Sequence, residues 1–596
     1  MKKVYCILIA TVCLVSCNDV LDKYPLDMIT DGVVWDNKQL VDAYIVGEGY
    51  GRMYILTNET PYSTSQNWEA SHDWNGPFII NELADECIRN WVYGQSNFKY
   101  GLLYVNGGLL EWWENAYAIN RAMNIALENL LSSSLEDVFK KSRMAEIRFL
   151  RAYNYFAMVK RYGGVPLITK VQQTSDPEEE LYPSRAKEQD IYDFIIAEMD
   201  DIADDLFSRS PETAGRPTKW AAMALKCRAA LYAASIAKFG TVQLGGIVGI
   251  EAGRAPDYYQ KACDAAQVII NDGVHSLYRA DADKVVNFKN IFLVKNNPEA
   301  IWVLKHNYND MAAGGNGWIW DFFQCPKPMA WGGGGNQNAP YLEMAESFEY
   351  IDGRPGTLDR QAIQEGLWTT EQLWTGKDPR FFASIWTHNT PWQGGLVDFH
   401  NGLLLPDGTM ITSSSYEGVP AQGNQSVDYS FGSGFGVMKY LEESHSNMGE
   451  RGTSGTDWQL FRFGEVLLNY AEAAFELGKT NEALDAVNQI RSRAGISLLT
   501  AIDREKIYHE RKVELAFEGH RYWDLRRWRK AVDVLTVPEG GRGLRFILDY
   551  ETRKYRIMVI NMEPTSTPLF YERNYYFPIT LTRTGINPKL VENPGY

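Results

Sequence analysis

Cysteine is scarce in this 596-residue chain and poorly placed for chemistry. Cys6, Cys13 and Cys17 crowd the N-terminus. Cys87, Cys227, Cys263 and Cys325 form no CxxC pair and no metal-ligand spacing, which argues against a disulfide framework or a zinc site. Cys227 and Cys263 fall in Ala-rich helical stretches, where buried thiols are expected. The eight histidines include no pair at helical ligand spacing. HExxH, GxSxG and GxxxxGK[ST] are all missing, and Gly332–Gly335 lacks the lysine and hydroxyl of a phosphate cradle. Positive charge is short as well: 59 Lys and Arg stand against 75 Asp and Glu, a net charge of -16. A nucleic-acid partner is therefore not expected, since phosphate binding needs basic patches. A neutral ligand, or a partner with basic loops, fits better. No window beyond the N-terminus holds eighteen uninterrupted apolar residues, so no spanning helix is expected.

What the N-terminus does have is a short basic and apolar leader. Lys2 and Lys3 precede an apolar run, Val4 to Val15, that is too short to span a bilayer. It ends in Leu14, Val15, Ser16 and Cys17. Small residues before a cysteine are the pattern of a bacterial lipoprotein signal, with Cys17 as the acylated first residue of the mature chain. An ordinary secretory signal with a chance cysteine is the alternative. Several acyl chains on one cysteine provide the anchoring that stable membrane retention requires. Removal of Met1–Ser16 takes two lysines away and leaves about -18. The domain reading is a signal over 1–16 and one mature domain over 17–596.

Helical periodicity occupies two blocks, mainly 107–271 and 458–535. In the first, Trp112, Ala116, Ile119, Met123 and Leu127 form one stripe, and Phe149, Leu150, Tyr153 and Phe156 another, stopped by Gly163 and Gly164. Ile191–Leu206, Lys219–Phe239 and Tyr258–Asn271 follow. The second block covers Leu460–Leu477, Asn481–Arg493, Arg504–Glu518 and Arg521–Val532. Ala471, Gly478 and Ala483 sit at tetratricopeptide (TPR) spacing, although Ile490 replaces the last small residue. A helix pair cannot bury its stripe alone, so stacking of about four pairs is expected. Segments of about 58–105 and 272–456 lose the rhythm and gain Gly and Pro. Ala300–Leu304, and alternation at Tyr555, Ile557 and Val559, read as strands. The expected fold is mostly α: a TPR-like helical-pair scaffold with a large irregular loop-rich insertion and a few short strands. Its loops carry function.

The most specific stretch is His509–Trp528, HERKVELAFEGHRYWDLRRW. Glu510, Glu514 and Glu518 share one helix face. Gly519 can end that helix in a left-handed conformation. Arg521, Asp524 and Arg526 then follow, so an ion-pair network between two helices is expected. This string closely resembles the C-terminal signature of the SusD/RagB family of bacterial outer-membrane lipoproteins. Four further matches appear in the family's order: Arg148–Phe156 with Arg161–Leu167, Arg216–Tyr232, Arg462–Ala473, and Tyr575–Ile579 with the tail Asn593–Tyr596. Ala157 stands where the family often has Asp. Asn18, Asp19 and Asp22 resemble the family's surface-export signal. The resemblance implies a TPR-rich scaffold on the cell surface, anchored in the outer membrane by lipid. It also implies a SusC-like TonB-dependent barrel as partner and glycans, or in some cases peptides, as ligand. Its motifs belong to the scaffold and name no ligand-binding residue.

Sugars present flat C–H faces and rims of hydroxyls, so they are held by aromatic platforms with polar groups around them. Two groups of tryptophans lie in irregular segments: Trp68, Trp74 and Trp91, then Trp302, Trp318, Trp320, Trp331, Trp368, Trp374, Trp386 and Trp392. Trp302, like helical Trp112, Trp113 and Trp220, reads as core. Trp91 follows Asp85 and Arg89 in a string whose acidic pair resembles part of the family's sugar-binding surface. Trp318, Trp320 and Trp331 sit among glycines, Asn336, Gln337 and Asn338, whose amides both donate and accept. Each of these aromatics either meets ligand or pins a loop to the scaffold. Two rivals remain open. A glycoside hydrolase needs only two suitably spaced carboxylates, for which Glu343, Asp352 and Asp359 are candidates. A purely structural surface protein has no use for exposed tryptophans. Asp281 and Asp283 are a faint calcium signal, and no cofactor is expected.

Overall fold

The computed structural model describes residues 31–53, 80–89, 99–101, 110–210, 213–307, 317–326, 335–425, 432–446, 448–450 and 453–596. The fold is mostly helical. Its frame comprises α1 (Glu114–Ser132), α2 (Asp137–Tyr162), α3 (Glu188–Ile202), α4 (Lys219–Phe239), α5 (Ala255–Asp272), α6 (Phe463–Glu476), α7 (Thr480–Ala494), α8 (Arg504–Glu514) and α9 (Arg521–Arg527). Each of α1 to α6 packs on the next, and α8 packs back on α6. The array therefore runs from α5 directly onto α6, although the whole loop-rich middle of the chain lies between them in sequence.

Local chemistry explains the frame. The Thr218 hydroxyl accepts from the Ala221 N–H and opens α4, and Gly240 closes it by donating to the Ile236 carbonyl. Between them, alanines keep the α4 surface flat, so α3 and α5 approach closely. Gly478 turns α6 into α7 with a φ of 79°, and the small Ala471 and Ala483 are fully buried where the pair meets. Cys227 and Cys263 are buried free thiols, as are Cys87 and Cys325.

Strands tie the loop-rich region to this frame. β2 (Ala300–Leu304) pairs antiparallel with β5 (Trp458–Arg462), which brings the two ends of the middle region together. β6 (Arg542–Asp549) pairs antiparallel with β7 (Tyr555–Asn561) and parallel with β4 (His400–Leu404). β1 (Cys87–Arg89) pairs antiparallel with β3 (Asn338–Pro340).

The three aligned glutamates are buried, but their partners differ from the sequence expectation. Glu510 binds Arg380 at 2.6 Å and Arg491 at 2.9 Å. Glu514 binds Arg462 at 2.8 Å, Arg380 at 3.0 Å and also Arg493. Glu518 binds Arg462 at 2.6 Å and Lys439 at 2.8 Å. The turn at Phe517 and Gly519, both with positive φ, leads α9 away from the glutamate stripe. Arg521 consequently meets Asp85, and Arg526 donates to the Tyr575 carbonyl at 2.5 Å. Only Arg511 and Asp524, 2.7 Å apart, join α8 to α9 by the expected chemistry. Burial alone would raise the Glu514 carboxyl, but Arg493, Arg462 and Arg380 outweigh it and hold it well below the usual range.

Candidate ligand-binding face

The β1–β3 ribbon brings two sequence-predicted site residues into register: Arg89 stands opposite Asn338. The segment leading into β1 is clamped to the α8–α9 turn. Asp85 accepts from Arg521 Nε at 2.7 Å and from Lys512 Nζ at 2.9 Å. Glu86 accepts from the Phe517 N–H at 2.9 Å. Burial pushes the Asp85 carboxyl up, yet Arg521 and Lys512 together hold it well below its ordinary value. With its carboxylate so engaged, Asp85 acts as an anchor that sets the direction of β1. It does not project as a free ligand group.

β3 is positioned by a different device. The short helix Trp320–Gln324 is wrapped by residues 335–337, whose backbone N–H groups return to carbonyls of the helix and its C-terminal cap: Gly335 to Phe322, Gln337 to Phe323 and Asn336 to Cys325. Asn336 takes a φ of 47°, a conformation that asparagine tolerates. Gln324 Nε2 then donates to Asn338 Oδ1 at 2.7 Å. Asn336, Gln337 and Asn338 are all buried, as is Arg89. Burial draws the Arg89 guanidinium below its ordinary value, and the Glu82 charge opposes that shift. Burial likewise raises Glu82, opposed by Arg89 and Lys99. Glu82 and Gln324 escaped the sequence reading because their importance comes only from the fold: one lies in the helical stretch 80–82 ahead of β1, the other in the short helix that holds β3.

Trp318 and Trp320 are corrected from ligand platforms to core. They are 2% and 0% exposed. Their rings stack at 5.2 Å, His306 covers Trp318 at 4.8 Å, and Tyr440 and Trp458 close the box. Trp320 Nε1 donates to the Lys439 carbonyl at 2.9 Å. Mutual packing buries more ring surface here than an exposed platform would, and it satisfies the indole N–H of Trp320. Trp302, Trp374, Trp386 and Trp392 are buried too, while Trp368 is half-buried. Trp112 and Trp113 are core as expected; Trp220 is half-buried and donates to Asp272 at 2.8 Å. Trp68, Trp74, Trp91 and Trp331, with Cys17, lie outside the described residues.

The carboxylates suggested for hydrolysis are structurally employed. Asp359 caps the helix Arg360–Glu365, Asp352 pairs with Arg354 at 3.3 Å, and Glu343 pairs with Arg360 at 3.1 Å. Asp283 caps the helix Lys284–Leu293, and Asp281 accepts from Asn290 at 2.8 Å. Among the described residues, no three acidic, histidine or cysteine side chains gather as a metal site. No helix there is long and apolar enough to cross a membrane.

Comparison with known proteins gives a consistent result. Residues 298–596 match the profile of the SusD family, and residues 19–231 match one described as starch-binding, associating with the outer membrane. The solved structure of a SusD-like protein from Bacteroides fragilis superposes with a TM-score of 0.71 at 26% identity, over 96% of this chain and 100% of that one. A SusD-like protein of Formosa agariphila is 22% identical over 90% of this chain and 93% of its own. The starch-binding protein SusD of Bacteroides thetaiotaomicron is also 22% identical, over 98% and 96%.

Proposed function

The chain belongs to the SusD family, and from that premise we propose that it is a lipid-anchored glycan-binding protein of the outer-membrane surface. It captures oligosaccharides without cleaving them and delivers them to a SusC-like TonB-dependent barrel. The relative from Bacteroides thetaiotaomicron is named for starch binding, and the N-terminal profile for starch binding at the outer membrane. The observation that carries the reading is the register of Arg89 with Asn338. Two segments more than 200 residues apart are fixed side by side, each beside a sequence-predicted tryptophan. Trp91 follows Arg89 by two positions and Trp331 precedes Asn336 by five. Trp68 and Trp74 stand before the same β1 segment in sequence and are the further candidates. Arg89 and Asn338 are themselves buried, so the ribbon fixes the two segments and the flat faces a sugar requires come from the tryptophans next to them in sequence.

Capture followed by release favours an affinity of about micromolar to millimolar. Calorimetry on wild type, Trp91→Ala and Trp331→Ala against purified polysaccharides tests the reading. Loss of binding in either variant, with an unchanged melting temperature and no product released from glycan, is the expected result. Wild-type affinity in both variants places the site elsewhere. Glycan cleavage by the wild type overturns the binding-protein reading.

A further inference from the structure

His400 opens β4, and its ring is held from both ends. Nδ1 lies 2.7 Å and 2.8 Å from the two carboxylate oxygens of Asp398, and Nε2 lies 3.0 Å from the Pro420 carbonyl. An ionised carboxylate and a carbonyl can only accept, so both ring nitrogens must donate. Only the imidazolium can do so. The residue is 2% exposed, which shields both contacts from bulk water and strengthens them.

Pro420 belongs to an exposed strap. Residues 405–422 leave β4, turn back so that Met410 and Ile411 pair with Leu404 and Leu403, and then fold Ser415–Tyr416 against Val419–Pro420. The strap returns beside the start of β4, where the Gly423 N–H donates to the His400 carbonyl at 2.8 Å. Gly423 passes so close to Asp398 that a Cβ there would collide with Oδ1. His400 therefore joins the root of the strap to its returning end through a charged ring.

No neighbouring group among the described residues supplies that charge instead. His388 Nδ1 lies 3.4 Å from the same Asp398 oxygen, but it accepts from the Phe399 N–H at 3.0 Å. Burial, opposed by Asp398 and assisted by His400, pulls the His388 ring down to about 4 and keeps it neutral. Tyr555 packs edge-on against His388, and burial raises its hydroxyl further above the range of interest. On β6, Phe546 is in register with His400, and exposed Arg545 beside it points to the other face of the sheet. Glu417 on the strap is taken by the Tyr550 hydroxyl at 2.6 Å. Burial would lower His400 too, but its hydrogen bond to Asp398 and that residue's charge outweigh it and lift the ring above its ordinary 6.5. Burial raises Asp398 in turn, yet the His400 contacts hold it below its ordinary value.

We propose that His400 is a pH-sensitive clamp on the strap 405–422. When the ring loses a proton it keeps Nδ1–H for Asp398, and its Nε2 lone pair then faces the Pro420 carbonyl oxygen. Two acceptors in contact repel, so the strap is let go at that end while the helical frame stays in place. The clamp is fully closed below the ordinary 6.5 and opens as pH rises through the higher value of the folded ring. It stands apart from the glycan reading.

Hydrogen exchange read by mass spectrometry between about pH 6 and 9, corrected for the intrinsic base-catalysed rate, tests the clamp. Glu86→Gln serves as the background, since it removes the separate alkaline change ahead of β1. Peptides within 412–422 are expected to exchange about tenfold faster at the upper end, the margin of one charge-assisted hydrogen bond. Asp398→Asn should move that transition down by about one pH unit, because the ring loses its counter-charge. His400→Phe should exchange fast at every pH. A flat strap profile overturns the proposal, as does a rise that α4 shares equally or an unchanged midpoint in Asp398→Asn. The profile with His400 and Asp398 intact stands even where one of those variants fails to fold.

Discussion

Arg380 donates from Nη1 to Glu510 Oε1 at 2.6 Å, across 130 residues of sequence. Both side chains are 1% exposed. The contact fastens the loop-rich middle of the chain to α8, Arg462 repeats it at Glu514, and Lys439 does so at Glu518 just beyond the helix. Charges buried this deeply are matched several times over, and removing one member leaves the others exposed to a low dielectric.

Glu514→Gln is therefore expected to destabilise the protein by about 3–5 kcal/mol, because Arg380, Arg462 and Arg493 each lose a counter-charge. Urea unfolding followed by circular dichroism measures it. Gly464→Ala probes the same network from its backbone side: a methyl there would meet Arg462 Nη1, Glu299 Oε1 and Glu514 Oε1. A loss of about 1–3 kcal/mol is expected, and the double variant should lose less than the sum of the two. Full additivity would mean that the network is not one unit.

Glu86 predicts an alkaline weakness. Burial, reinforced by Asp85 and opposed by the Phe517 N–H, raises its carboxyl to about 8 from an ordinary 4.5. A folded state that holds this proton more tightly is favoured below the ordinary value, and the contribution is lost as pH rises through about 8. Glu86→Gln keeps the neutral form at every pH. Between pH 5 and 8.5 the wild type should lose at least about 1 kcal/mol relative to the variant. Parallel denaturant midpoints for both proteins across that range would remove the basis for this assignment.

The four cysteines of the described chain should be silent to a thiol reagent. Burial raises all of them, Cys263 to about 12. Native protein, as the mature chain with Cys17 acylated, should release almost no chromophore from a disulfide reagent over minutes, and four equivalents after denaturation in guanidinium, one for each of Cys87, Cys227, Cys263 and Cys325. Rapid labelling of the native protein would contradict the burial.

Cys17→Ala should move the protein out of the membrane fraction, since the apolar leader is too short to hold it by itself. Fractionation and mass spectrometry of the wild-type N-terminus provide the check. Retention of the variant in membranes would point to another anchor.

Helices with local punctuation were legible in the sequence. Lys219–Phe239 was bounded by its alanine run and Gly240, and the structure returns the same limits. Ala300–Leu304 was recovered as a strand for similar reasons. The partners of Glu510, Glu514 and Glu518 were not legible, because periodicity identifies a shared face and says nothing of what packs against it. Arg521 and Arg526 were near in sequence, whereas Arg380 and Arg462 arrive from separate segments. Trp318 and Trp320 misled for the opposite reason. Flanking glycines and asparagines resemble an exposed loop, yet His306, Tyr440 and Trp458 converge on them from distant positions. At the candidate face, Arg89 and Asn338 stood out in the sequence one by one, but their burial did not. Their pairing depends on a strand register that no local pattern encodes.

The glutamate stripe also constrains when the protein can finish folding. The chain is synthesised from its N-terminus, so Glu299, Arg380, Lys439 and Arg462 emerge before Arg493 and Glu514. Until those last helices arrive, the middle of the protein carries charges that it cannot bury. The α1–α5 stack can assemble early from local contacts, while the loop-rich region must wait in an open form for the C-terminal helices. Asn593, three residues from the end, makes the same demand on the first block by donating to the Tyr162 carbonyl at 3.0 Å. A chain cut short at either point would be an unclosed intermediate, exposed to proteases, and not a smaller working protein.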